Sequence, residues 1–180
     1  RSAGFEVNDM GFLRRADQQS WSTWAGFFDR REHLFYKRFQ LNNNWWQYWT
    51  TDGLPLEAAY NTNMHITFKN NWGWHMGGTL GQLGTTYDDR ASRGGPAVRQ
   101  GAYFSPWLSI NGDDRRAAVP SLNFNYSTSE NGRYSSFSFG PTVEYKVACR
   151  GSAQRGGDGS HNITDNQSFG NYNHDDGTHD

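Results

Sequence analysis

Cysteine is almost missing from this chain. Cys149 stands alone among 180 residues, which excludes an internal disulfide framework and a cysteine-based zinc site. A nucleophilic Cys149 needs a base beside it, and Val147, Ala148 and Arg150 supply none in sequence, so the residue reads as structural. Net charge is missing too. Seventeen basic side chains face eighteen acidic ones, which removes the electrostatic footprint of a nucleic-acid binder. No nucleic-acid partner is expected. Long apolar runs are absent: the longest cluster, Ala25 to Phe28, falls far below the roughly 18–20 residues of a membrane-spanning helix. Aliphatic side chains are scarce, with 34% hydrophobic residues and a mean hydropathy of −0.91. Arg1 carries neither an initiator Met nor a signal-peptide pattern, and Asp180 falls inside a polar stretch. The chain is read as an interior fragment of a longer one.

What is plentiful is aromatic. Eight Trp, nine Tyr and twelve Phe accompany 21 Gly, and a chain so rich in aromatics is not a disordered one. A period of two runs through it. Leu56, Ala58, Tyr60, Thr62, Met64, Ile66 and Phe68 alternate with Glu57, Ala59, Asn61, Asn63, His65, Thr67 and Lys69. Successive strand side chains point to opposite faces, so one face is apolar and the other polar. Asn70-Asn71 suits a turn that tolerates positive φ. The pattern resumes with Trp72, Trp74, Met76, Gly78 and Leu80 against Gly73, His75, Gly77, Thr79 and Gly81, which predicts a long hairpin.

Three more strands follow the same rule. Ala102 to Ile110 leads to an Asn111-Gly112 turn, Ala118 to Ser127 to Asn131-Gly132, and Phe137, Phe139, Pro141, Val143 and Tyr145 close the series. Gln19–Phe28 and Leu34–Trp49 are rougher but equally aromatic. The expected fold is all-β: an antiparallel up-and-down meander of about seven or eight strands. Most strands reach the roughly 9–11 residues that cross a bilayer at barrel tilt.

The alternation fits two architectures. In a soluble sandwich or barrel the apolar face is the core; in an outer-membrane barrel it meets lipid and the interior is polar. Strand length favours the membrane barrel, as does a polar face of Gly, Ser, Thr and Asn rather than Lys and Glu. So does the gathering of Tyr60, Trp72, Trp74, Tyr126 and Tyr145 towards strand ends as an interfacial girdle. Pro106, Pro120 and Pro141 count against ideal strands, since each removes a ladder donor. On the barrel reading, Leu56, Tyr60, Met64, Ile66, Phe68, Trp72, Trp74, Phe137, Phe139 and Val143 face lipid, and Asn61, Asn63, His65 and Thr67 face the lumen. Residues 1–180 then form one region, an incomplete transmembrane barrel, with residues 150–180 as a polar loop or disordered tail. One check fails: short turns at Asn70-Asn71 and Asn111–Asp114 flank a long Thr85–Val98, but the same parity puts the long polar tail on the short-turn side.

Sites for chemistry are few. Gly156-Gly157-Asp158-Gly159 is similar to the start of a calcium-binding nonapeptide, with His161 where the ligand Asp belongs, but it occurs once. His174-Asp175-Asp176-Gly177-Thr178-His179-Asp180 offers imidazoles and carboxylates without a scaffold, and a solvated loop is the simpler reading. Asn162-Ile163-Thr164 matches a glycosylation sequon that is common by chance. The clusters Arg14-Arg15 with Asp17, Asp29–Glu32, Asp88-Asp89-Arg90 and Asp113–Arg116 mix signs throughout, and read as ion networks rather than as general acids and bases. No nucleophile elbow, zinc helix or phosphate loop is present. No catalytic residue, metal ligand or cofactor is assigned.

Specific segments resemble a known family. Asn8-Asp9-Met10-Gly11-Phe12-Leu13-Arg14-Arg15-Ala16-Asp17 resembles one signature of the bacterial domain of unknown function 5916. Arg93-Gly94-Gly95-Pro96, followed by Asp113-Asp114-Arg115, is similar to a second, and Asn162 to Gln167 lies near a third. The resemblance implies an exported protein with an N-terminal domain similar to family 9 carbohydrate-binding modules, followed by a region similar to an outer-membrane barrel. It places this chain inside that barrel region, without the carbohydrate-binding module, so glycan handling attached to that module does not pass to these residues. The partners implied are outer-membrane lipid and, through the missing domain, glycans. The rival expectation is a soluble secreted or periplasmic β-domain that stacks sugars on Trp45, Trp46 and Trp49, with Asn42–Asn44 nearby to bond hydroxyls. A glycosidase comes third and needs two carboxylates about 5–10 Å apart.

Overall fold

The computed structural model describes Arg15 and residues 17–92, 94–130, 133–147, 151–157 and 159–164. Eleven strands follow one another: β1 (Gln18–Asp29), β2 (Tyr36–Thr50), β3 (Pro55–Phe68), β4 (Gly73–Gly81), β5 (Thr86–Asp88), β6 (Val98–Gln100), β7 (Tyr103–Asn111), β8 (Ala118–Ser129), β9 (Tyr134–Val147), β10 (Gly151–Gly156) and β11 (Gly159–Thr164). The main sheet runs β1-β2-β3-β4-β7-β8-β9, with β10 and β11 both on the far side of β9. Every pairing is antiparallel, so the sheet is an up-and-down meander, the strand order of a barrel wall. Among the described residues β1 pairs only with β2, and the sheet is open.

The alternation in sequence becomes rows across the sheet, because residues paired in an antiparallel ladder point the same way. One row reads Phe27, Leu41, Met64, Met76, Leu108, Phe124 and Phe139; the next reads Phe39, Ile66, Trp74, Ile110 and Leu122. The opposite face carries Gln40, His65, His75, Ser109 and Asn123, and beside them Asn42, Asn63, Gly77, Trp107 and Asn125. β1 is different. It carries aromatics on both faces, with Trp24 and Phe28 beside the Asn row and Trp21 and Phe27 beside the apolar one.

Two features depart from the sequence reading. Residues 151–164, expected as a polar loop, pair with β9 in one unbroken register: Gly156 faces Thr142 and Gly159 faces Phe139. β10 and β11 are therefore one strand, interrupted opposite Pro141. The Pro141 carbonyl accepts from Gly157 at 3.3 Å, but its nitrogen has no proton to return. This eighth strand also resolves the parity conflict, since the connection after β9 is short. Cys149, the tail histidines and aspartates beyond Thr164, and Asn131-Gly132 lie outside the described residues.

The second departure is the connection after β4. It holds a two-stranded ribbon of β5 and β6, and Thr86 of β5 is fully buried. Leu83 N–H bonds to the Ala58 carbonyl at 2.9 Å, so the connection is fastened to the neighbouring strand β3. Strict long-and-short alternation does not hold, because the links after β2 and β8 are short as well.

Candidate functional site

The polar face concentrates side chains of defined chemistry at its centre. β2, β3 and β4 place four asparagines and a histidine pair in register, and their amides bond across the strands. Asn42 Nδ2 donates to Asn63 Oδ1 at 2.8 Å, and Asn44 Nδ2 donates to Asn61 Oδ1 at 3.2 Å. Asn63 Nδ2 donates to Asn61 Oδ1 at 3.0 Å, and Asn61 Nδ2 to Thr79 Oγ1 at 3.0 Å. His65 Nε2 meets Asn63 Oδ1 at 3.1 Å, and His65 Nδ1 meets His75 Nδ1 at 2.9 Å.

This pattern assigns the protons. Asn63 Oδ1 only accepts, so His65 carries its hydrogen on Nε2, and in the neutral ring its Nδ1 is then an acceptor. His75 must therefore donate from Nδ1. Donation runs one way through the cluster, from His75 to His65, Asn63, Asn61 and Thr79. The Trp107 ring lies 6.1 Å from His65, and its Nε1 sits where a Cβ on Gly77 would approach to 2.9 Å. Glycine at 77 lets the indole lie against the sheet.

At the end of the strands near β5, Trp46 Nε1 donates to Glu57 Oε1 at 2.9 Å. A depression of about 230 Å³ opens there, lined by Tyr48, Glu57, Gln82, Tyr87, Asp89 and Gln100. The long connection thus comes up against polar-face residues of β2 and β3. Arg15 holds it down. Its guanidinium bonds Asp89 Oδ1 at 2.7 Å and Asp17 Oδ2 at 3.2 Å, and Arg90 adds a contact to Asp17 at 3.7 Å. The Arg15 fork depresses the Asp89 carboxyl below its ordinary value, so Asp89 is an ion-pair partner and not a proton donor. Two charge clusters far apart in sequence become one network.

The opposite end has its own clasp. Asp113 is buried and accepts from Arg115 Nε at 3.0 Å, Arg115 NH2 at 2.9 Å and Arg115 N at 3.1 Å. These bonds lower its pKa. Asn71 bridges Asp113 Oδ2 at 3.3 Å to Lys37 Nζ at 2.6 Å, joining β2, the β3–β4 turn and the β7–β8 connection. At the β1–β2 link Asp29 accepts from His33 Nε2 at 2.8 Å, Tyr36 Oη at 3.2 Å and Arg31 N at 2.9 Å.

The register gathers most of the sequence-selected residues as two sets. Asn61, Asn63, His65 and Thr67 share the polar face. Tyr60, Met64, Ile66, Phe68, Trp74, Phe137, Phe139 and Val143 share the apolar one. Leu56, near the start of β3, lines the depression at the strand ends. Trp72 stands in the turn before β4, its carbonyl accepting from Phe68 N at 2.9 Å.

Trp45, Trp46 and Trp49 do not form one platform. Trp45 packs on Tyr60 on the apolar side at 6.4 Å, Trp46 points to the polar side, and Trp49 bonds Gln19 at the strand end. What sequence reading missed is His75 as the partner of His65, which register alone reveals. Among the described residues no group of three or more His, Cys, Asp or Glu converges as a metal cage.

No curated protein and no solved structure matches the chain. A family model does match, over residues 1–176, so the motifs read at Asn8–Asp17 and Arg93–Pro96 fall within it. The chain belongs to the family described as domain of unknown function (DUF5916).

Proposed function

We propose that this region is the wall of a β-barrel in a bacterial outer membrane, without catalytic chemistry of its own. In the full-length protein it anchors or serves a carbohydrate-handling module at the cell surface. The observation that carries this reading is the open apolar face. Trp74, Leu80, Phe104, Phe137 and Phe139 expose 39–45% of their surface on one side of the sheet. Among the described residues the buried apolar side chains are Ala58, Ala59 and Ile66. A soluble sheet of this size hides such a face against a second layer, whereas lipid accepts it directly.

Polar groups on that face support the same reading. Asn43 accepts from Tyr60 Oη at 2.5 Å, and Thr62 Oγ1 donates to the Asn42 carbonyl at 3.3 Å. Internal satisfaction of that kind is what a hydrocarbon environment requires. The strands of the main sheet from β1 to β9 run 9 to 15 residues, enough to cross at barrel tilt. The rival, a soluble sugar-binding domain, loses its platform because Trp45 and Trp46 face opposite ways.

Cell fractionation of the full-length protein tests the proposal, with gel migration compared before and after boiling. Recovery in the outer membrane with a heat-dependent mobility shift is expected. A product that stays soluble without detergent overturns it.

A further inference from the structure

We infer that His65 and His75 form a bidentate site for a divalent transition-metal ion with right-angled coordination, copper(II) first and nickel(II) second. Their Nδ1 atoms are 2.9 Å apart. An ion about 2.05 Å from each of two nitrogens, with a right angle between the bonds, needs them about 2.9 Å apart. A tetrahedral ion such as zinc needs roughly 3.3 Å and is the poorer fit.

The surroundings prepare the pair for this use. His65 donates its other nitrogen to Asn63 Oδ1 at 3.1 Å, which holds Nδ1 free of its proton, as a ligand must be. Asn63 is itself fixed by Asn42 and Asn61. His75 carries the one proton between the rings, and binding shifts it within that ring from Nδ1 to Nε2, so both imidazoles stay neutral and two metal–nitrogen bonds form. Both rings are half-buried on the polar face, where water completes the coordination. β3 and β4 are adjacent and directly paired at this point, so two strands hold the ligands without any loop. The inference does not depend on what covers the apolar face, and its test runs equally well in detergent or in buffer.

The experiment titrates copper(II) sulfate into the full chain carrying His174→Ala and His179→Ala, so that the tail histidines do not contribute. Two readouts are followed: tryptophan fluorescence and the electron paramagnetic resonance spectrum. One ion per chain is expected, with coupling to two nitrogens and quenching from Trp107, whose ring is 6.1 Å from His65. Trp107→Phe abolishes most of the quenching and keeps the two-nitrogen spectrum. His65→Ala and His75→Ala each weaken binding by about tenfold or more, and Asn63→Ala by roughly 10–100-fold. Asn63→Asp, which keeps the acceptor, restores it. The heat-dependent gel shift or the far-ultraviolet spectrum reports that each variant still folds. Unchanged copper affinity in folded His65→Ala and His75→Ala, or zinc binding more tightly than copper, overturns the inference.

Discussion

At Gly77 the sheet has no room for a side chain. A Cβ there would lie 2.7 Å from the Thr62 carbonyl and 2.9 Å from Trp107 Nε1, and the carbonyl belongs to a backbone held in the ladder. Gly78, one residue on and facing the other way, meets nothing closer than 3.4 Å. Gly77→Ala is expected to destabilise by roughly 1–3 kcal/mol, and Gly78→Ala to stay within about 0.5 kcal/mol. Denaturant midpoints of the two variants decide it, and equal midpoints would remove the steric argument.

Asp113 offers a prediction of a different kind. Arg115 lowers its folded pKa below the ordinary 3.8. The contribution of that carboxylate to stability is therefore present above 3.8 and is lost as the pH falls through the lower folded value. Asp113→Asn should be less stable than the wild type near neutrality, and the gap should close in acid. Melting both proteins at about pH 7 and about pH 2 measures it; a gap that stays constant contradicts the ion-pair account.

Among whole elements, β3 is the most legible in sequence and the most informative in structure. Its strict alternation from Leu56 to Phe68 survives almost residue for residue as Pro55–Phe68, because each face meets one environment along its length. β5 and β6 left no trace in sequence, since three residues are too few to display a period. The interrupted strand of β10 and β11 was invisible for another reason. Gly151 to Thr164 carries hardly any apolar residue to alternate, so its pairing with β9 rests on backbone bonds that no side-chain pattern announces.

The two faces of β3 also make the proposed environment testable. Met64 lies mid-strand in the apolar row, beside Leu41 and Met76. If lipid covers that face, Met64→Arg costs roughly 2–4 kcal/mol, whereas Asn63→Arg, on the polar face, costs much less. Stability of each variant in bilayers, read from urea titration of the gel shift, decides it. Equal tolerance at the two positions would sink the lipid assignment.

Across the molecule, the sheet is held at both ends by ion networks assembled from distant sequence. Arg15 reaches Asp89, and Asn71 reaches both Lys37 and Asp113. Mixed charge in each cluster pointed to structural pairing, and pairing is what these residues do. The choice of partner lay beyond sequence, since it depends on which connections the meander brings together.

The sequence by itself determined the all-β class, most strand bounds and the division into an apolar and a polar face. Those follow from a local rule, that neighbouring strand residues point opposite ways. Register was decided only in the tertiary structure, by turn geometry and the packing of one strand on the next. With register came the Asn ladder and the 2.9 Å approach of His65 to His75. A slip of one residue would have undone both, and no pattern within a single strand records which slip was avoided.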